Sequence, residues 1–358
     1  MKIALVNHTL GSGGAEKLIC DMATEMKERG ISADVILLTR KKGIYDDSLS
    51  EKGVRVIHLS EKWDIYSPEN ILKLIKVLKN YDVVHTHIYS AQLWTAAASY
   101  FLPGKIKYIT TEHNTTNNRR GKWYFRILDR WMYSRYQEIV SITSEVREYL
   151  FRWLGEEPAG NPVIKNGIVL ENFIHAEPLE RESLGLSPED RVIIMVARFN
   201  EQKDQKTLIE AMKYLSEEYK LLLVGQGGLE ADCRNRAREL GVENRVNFLG
   251  YRKDIPQLLK TSDICVLSSH YEGLPISALE AMASGRPFVG SCVPGIKELV
   301  ENNGVLFERG DSEELSKIIK KLCEEKEFNR EISEKCLAKA KEYNIKATVD
   351  EYLELYRR

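Results

Sequence analysis

The sequence predicts an α/β protein of two successive Rossmann-like, doubly wound domains whose binding edges face a shared cleft. Three observations predict it. Short β-branched runs alternate with longer stretches of helical periodicity, the signature of β-α-β repetition and a parallel sheet covered on both faces. The series runs twice, separated by an irregular polar segment at 166–191 that carries Pro178 and Pro188. The length, 358 residues, exceeds one ordinary core and suits about two domains of roughly 150 residues.

In chain order, strands are expected at 3–7, 34–38, 55–59, 83–87, 108–111, 139–142 and 163–165, with helices between them. Ile71, Leu72, Leu74, Ile75 and Leu78, for example, recur at helical spacing. After the break, strands follow at 192–197, 221–224, 246–249, 264–267, 288–290 and 305–307, with helices starting near Lys206, Leu229, Asp254 and Ile276. From about Asp311 the tail reads as helix. The domains are therefore placed at 1–170 and 171–344, and a last helix at about 345–358 is expected to pack back onto the first. Ligands of doubly wound sheets bind beyond the carboxyl ends of the strands, so chemistry is sought in the loops that follow them.

Composition narrows the classes. Hydrophobic residues make up 43% and charged residues 29%, as in ordinary globular proteins. The 52 basic and 53 acidic residues nearly cancel, so there is no overall nucleic-acid signature. Residues 1–170 hold 24 Lys and Arg against 19 Asp and Glu, leaving 28 against 34 in the remainder. A basic first half suits an anionic ligand or surface. The six cysteines include no C-x-x-C pair and point to a reducing cytoplasm. The start of the chain reads as a strand and not as a signal peptide. The longest charge-free stretch, 83–104, is too polar for a membrane span.

Four segments carry chemistry. After the first strand, Gly11 and Gly13 fit a dinucleotide fingerprint, but Glu16 stands at its third glycine. Bare backbone at Gly13 and Gly14 at a helix start still suits phosphate oxygens. In the second half, Glu272-Gly273-Leu274-Pro275 forms a glycine loop before a helix bearing Glu280. Two carboxylates so spaced can bind two parts of one polyol; alternatively, Ser277-x-x-Glu280 is a capping box. Arg198 follows a strand and Lys203 lies in the turn before a helix. An Arg fork and a Lys point charge there can stabilise a departing diphosphate. No Asp-x-Asp and no ligand-spaced His/Cys cluster occurs, so no metal and no cofactor is expected. Lastly, 117–136 interleaves Arg119, Arg120, Lys122, Arg126, Arg130 and Arg135 with Trp123 and other aromatics against the single acid Asp129. This segment suits an anionic membrane face or is an amphipathic helix whose aromatics belong to the core. His113, past the strand at 108–111, and His87, at the end of the strand at 83–87, are further loop-edge candidates.

The run Glu272 to Glu280, followed by Ala281-Met282-Ala283-Ser284-Gly285-Arg286-Pro287, resembles the retaining glycosyltransferases of family 4, which have the GT-B fold. Gly13-Gly14-Ala15-Glu16 is similar to that family's N-terminal phosphate loop, and Asp82 to His87 to its fourth-strand motif. Lys165-Asn166-Gly167-Ile168 is similar to its domain junction, with Val169 where Asp is usual. Arg198 with Lys203, Val224 to Gly227 and Phe248 to Arg252 resemble the donor-binding segments. The resemblance implies a retaining, metal-independent glycosyltransferase of hexosyltransferase type. Such an enzyme moves a sugar from a nucleotide donor, uridine before guanosine, to a growing and lipid-linked glycan in polysaccharide biosynthesis. It implies catalytic roles for His113, Arg198, Lys203 and Glu272. It implies donor binding by Gly13, Gly14, Gly225, Tyr251, Arg252, Gly273, Leu274, Pro275 and Glu280. Acceptor or membrane contacts are assigned to His87, Arg119, Arg120, Lys122 and Trp123. A cytoplasmic monomer, peripheral on the membrane and without nucleic-acid partners, is expected. The rival readings are a non-catalytic sugar-nucleotide-binding subunit and a sugar-nucleotide epimerase.

Overall fold

The computed structural model describes residues 1–358 apart from 12, 40–42, 61–63, 114–118, 120 and 156–160. The chain forms two compact units, Met1–Gly167 with Ile345–Arg358, and Ile168–Asn344.

The first unit is built on six parallel strands: β1 (Lys2–Asn7), β2 (Ser32–Leu37), β3 (Val56–His58), β4 (Val83–His87), β5 (Lys107–Glu112) and β6 (Glu138–Ser141). Their order across the sheet is β3-β2-β1-β4-β5-β6. Ile3, Ala4, Leu5, Val6, Val35 and Ile36 are fully buried, as strands covered on both faces require. The expected strand at 163–165 is reduced to one parallel bridge, Ser141 to Val163. Pro162 precedes it and has no N–H for a longer ladder; its carbonyl accepts from Ser141 N.

The helix Ile345–Arg357 closes the first unit. Tyr352 and Tyr356 are buried. Lys107 Nζ donates to Leu355 O at 2.6 Å, and Arg29 bonds Asp350 and, at 3.0 Å, Lys346 O. Gly167 makes room for this return: a Cβ there would lie 2.7 Å from the backbone of Ile345.

The second unit repeats the plan with β7 (Arg191–Val196), β8 (Tyr219–Val224), β9 (Val246–Gly250), β10 (Ile264–Leu267), β11 (Phe288–Ser291) and β12 (Val305–Phe307). Read from β9, the order β9-β8-β7-β10-β11-β12 is that of the first sheet. The segment expected as irregular contains a short helix, Leu170–Ile174, and a 3-10 turn, Arg181–Leu184. In each sheet the chain reverses its direction of growth between the first and fourth strands, β1/β4 and β7/β10. The loops diverge there and leave a crevice at the carboxyl edge. The six cysteines are free thiols.

Candidate active site

In the second unit the crevice lies where β7 and β10 end. Lys203, in the turn after β7, pairs with Glu272, in the loop after β10. Glu272 is 7% exposed and accepts a second bond, from Ser269 Oγ at 2.6 Å. Gln202 locks the two loops together: it accepts from His270 N at 2.7 Å and donates through Nε2 to Tyr271 O at 2.9 Å. Asp204 adopts φ +48°, rare for a non-glycine residue, and caps the helix Gln205–Ala211 through Thr207 N. The Lys203 ammonium is thus preorganised at the crevice by a buried carboxylate. Lys203 is expected from sequence as a charge awaiting phosphate; here it is already partnered, and a bound diphosphate would share or replace Glu272.

Arg198 is exposed, and its carbonyl accepts from Gln205 Nε2 at 3.0 Å. Beside it, Gly225 and Gly227 have a steric function. A Cβ on Gly225 (φ +139°) would stand 2.0 Å from Ala197 O, and one on Gly227 2.1 Å from Phe199 O. Only glycine lets the loop after β8 lie on the backbone around Arg198. Gly225 N donates to Gly250 O at 2.8 Å, which draws in the end of β9. Tyr251 follows and is partly exposed. Arg252 is held by Asp254 through bonds of 2.8 and 2.5 Å, which lower the Asp254 pKa below its usual value.

The capping-box reading of Glu280 is not realised. The helix Ile276–Ala283 has Pro275 as its N-cap, no side-chain cap bond, and Ser277 already in its first turn. Pro275 thus sits one position before its expected place. Glu280 is buried, 6% exposed, one turn into the helix behind the loop of Gly273 and the buried Leu274. That loop is pressed onto the helix Pro294–Val300, where a Cβ on Gly295 would lie 1.9 Å from Gly273 O.

In the first unit, Gly13 is the N-cap of the helix Gly14–Glu28. The Glu16 carboxylate folds back over it, so that a Cβ on Gly13 would meet Glu16 Oε2 at 2.1 Å. The helix end is thus already faced by an anion, which an incoming phosphate would have to displace. His87 ends β4 and His113 follows β5; His87 Nδ1 and His113 Nε2 are 3.0 Å apart. Behind them His85 contacts Tyr356 OH at 2.6 Å and Thr111 Oγ1 at 2.7 Å. Burial lowers the pKa of His85 to about 3 and of His113 to about 4, and that of His87 well below 6.5.

The basic aromatic segment divides. Arg119 turns inward, with its guanidinium 3.2 Å from the Tyr89 ring centroid and 4.0 Å from the Asp129 carboxylate, so it is no surface charge. Arg120 lies outside the described residues. On the helix Trp123–Tyr133, Met132 and Tyr133 are buried and Trp131 stacks on Tyr100. Lys122, Arg126 and Arg130 are exposed, as are Trp123 at 74% and Ile127 at 61%. The sequence assigns no role to Ser269, Gln202, Thr111, Tyr352 or Tyr356, which the structure brings to these sites. Ser269 adjoins the glycine loop, whereas nothing local marks Tyr352 and Tyr356, which lie 241 residues from Thr111 and 271 from His85.

Two parallel doubly wound units, with a cation–carboxylate pair at the switch point of the second, have the architecture of the GT-B fold. Residues 12–172 match the family described as Glycosyltransferase Family 4, and residues 176–339 that described as Glycosyl transferases group 1. The UDP-Gal:alpha-D-GlcNAc-diphosphoundecaprenol alpha-1,3-galactosyltransferase of Escherichia coli is 30% identical over 346 residues, 90% of this chain and 88% of that protein. An N,N'-diacetylbacillosaminyl-diphospho-undecaprenol alpha-1,3-N-acetylgalactosaminyltransferase of Campylobacter jejuni is 31% identical over 205 residues, 55% of this chain and 54% of its own. Among solved structures, Anabaena HepE in complex with UDP and glucose superposes with a TM-score of 0.87 over 99% of both chains, at 23% identity. The chain belongs to glycosyltransferase family 4 and is a glycosyltransferase.

Proposed function

We propose that the enzyme transfers a hexosyl residue from a uridine diphosphate sugar, with retention and without a metal ion, to a hydroxyl of a lipid-linked glycan. The observation that carries the proposal is the Lys203–Glu272 pair at the β7/β10 crevice. The donor's C1–O bond to the diphosphate breaks, the acceptor oxygen bonds C1 on the same face, and the acceptor's proton passes to the departing phosphate oxygen. Arg198 and Lys203 stabilise the charge that develops on the diphosphate. Glu272 and the loop of Gly273, Leu274 and Pro275 position the sugar, and Glu280 the ribose. Gly225, Tyr251 and Arg252 line the nucleotide. In the first unit Gly13 and Gly14 approach phosphate and His113 the sugar. The UDP bound by HepE and the lipid-linked substrate named for the E. coli relative support this choice of donor and acceptor.

The test is a panel of UDP- and GDP-sugars assayed for diphosphate release with a polyprenyl diphosphate-linked acceptor in excess chelator. Transfer from a UDP-sugar with the anomeric configuration kept is expected. Activity lost in chelator and restored by magnesium or manganese refutes metal independence, and a donor converted without diphosphate release marks an epimerase.

The same reading places the exposed face of the helix Trp123–Tyr133 on an anionic membrane. Each exposed Lys or Arg near such a surface contributes about 1 kcal/mol. Lys122→Gln/Arg126→Gln/Arg130→Gln should therefore lower partitioning onto phosphatidylserine or phosphatidylglycerol vesicles by roughly a hundredfold. Binding should also weaken at 1 M salt, where the Debye length is about 3 Å. Equal sedimentation with neutral and anionic vesicles overturns the membrane assignment.

A further inference from the structure

His87 and His113 share one hydrogen bond, and the way it is made decides what His113 offers a ligand. Their nearest nitrogens are 3.0 Å apart and their ring centroids 5.3 Å. Burial keeps both rings neutral at pH 7, so each carries one N–H and two arrangements exist. In one, His113 Nε2–H donates to His87 Nδ1, which puts the proton of His87 on Nε2. That atom is buried without a partner, in a side chain that is 0% exposed. A buried orphan N–H is rare and costs more than an unfilled lone pair. His85, 4.2 Å behind between ring centroids, gives no relief, because both its nitrogens already contact Tyr356 and Thr111. In the other arrangement His87 Nδ1–H donates to His113 Nε2, and the buried atom is only a lone pair.

We infer that His87 is a positioning residue that holds His113 in the tautomer with its proton on Nδ1. His113 then presents an N–H donor to the substrate sugar. The inference rests on the reading of His113 as a donor-site group given above. A second feature marks the same spot. Ile88, directly after His87, takes φ +64° and ψ 142°, a costly conformation for a β-branched residue and one that persists where surrounding structure over-determines it. The assignment also bears on the chemistry. With Nε2 occupied and Nδ1 protonated, His113 has no lone pair for the acceptor hydroxyl. It cannot serve as general base, which leaves the departing phosphate oxygen to take the proton.

The direct test is long-range 15N–1H correlation spectroscopy of the unliganded protein labelled at histidine, with the His113 signals assigned from His113→Gln. The Nδ1–H form is expected at pH 7; the Nε2–H form overturns the inference. This readout does not involve turnover, so it stands or fails separately from the choice of UDP-sugar. Kinetics supply the second test. His87→Leu removes the donor and should raise KM for the UDP-sugar about tenfold. His87→Asn, whose amide N–H lies near the position of Nδ1, should recover most of that loss. Wild-type KM and kcat in a folded His87→Leu variant, or a loss that His87→Asn does not relieve, returns His87 to a packing role. Where the leucine variant does not fold, the wild-type tautomer alone decides.

Discussion

Replacing either Lys203 or Glu272 by alanine should lower sugar transfer by about a hundredfold or more, the usual consequence of removing one preorganised group from a developing charge. The pairing of these two residues makes the single variants ambiguous, and the double variant resolves them. Glu272 and Lys203 side chains are 7% and 17% exposed, so removing one leaves the other as a poorly solvated lone charge. That costs stability on the order of 3–5 kcal/mol where burial is complete and less where water reaches the ammonium. If the pair served the fold alone, Lys203→Ala/Glu272→Ala would regain both stability and activity. If both groups meet the donor, the double variant regains stability and stays inactive. Wild-type diphosphate release by any of the three purified, folded variants would falsify the assignment.

The second large effect is acid destabilisation of the first unit. His85, His87 and His113 all have folded pKa values below the unfolded value of about 6.5, because burial penalises the imidazolium. Below pH 6.5 the unfolded chain therefore binds more protons than the folded one. The stabilisation is complete above that pH, falls as the pH drops, and levels off once the folded groups titrate, near pH 3 for His85. For fully enclosed His85 the loss is about 1.4 kcal/mol per pH unit, or about 2 kcal/mol at pH 5. His87 adds a loss of the same sign, and His113, partly open at the edge, adds less. Urea unfolding followed between pH 7.5 and 5 should show a falling midpoint at constant slope. A flat midpoint over that range would mean that the three rings are hydrated.

The parallel sheets could be read from the sequence because most strands covered on both faces are near-continuous apolar runs. Ile3 to Val6, Leu221 to Val224 and Ile264 to Leu267 announce themselves without partners. The expectation for 163–165 failed because strand propensity is local while a ladder also needs donors, and Pro162 supplies none. At the site, position and residue type mark Arg198, Lys203 and Glu272 near strand ends, and Glu280 on the helix that follows, as candidates for phosphate and polyol chemistry. Their mutual contacts were not legible. Nothing in the spacing of Lys203 and Glu272, 69 residues apart, shows that they pair. Nor does composition reveal that Arg119 lies on Tyr89, because one basic segment reads alike whether a given guanidinium faces water or a ring. The histidine chain was only half visible: alternation along β4 puts His85 and His87 on one face, but their partners come from β5 and from the last helix.

That last helix also orders events during synthesis. The second unit is an insertion within the first, entered after Gly167 and left before Ile345, and Ile168 pairs with Asn344 beside the two crossings. The second unit can therefore complete its core while its gene is still being translated. The first unit, although its sheet emerges earlier, waits for Tyr352 and Tyr356 to leave the ribosome before Thr111 and His85 gain their partners. Until then it is an unfinished body with a polar seam open beneath β4 and β5. A stop codon between Ile345 and Tyr356 would accordingly damage the half of the protein made first, and proteolysis of such a truncated chain should release Ile168–Asn344 intact.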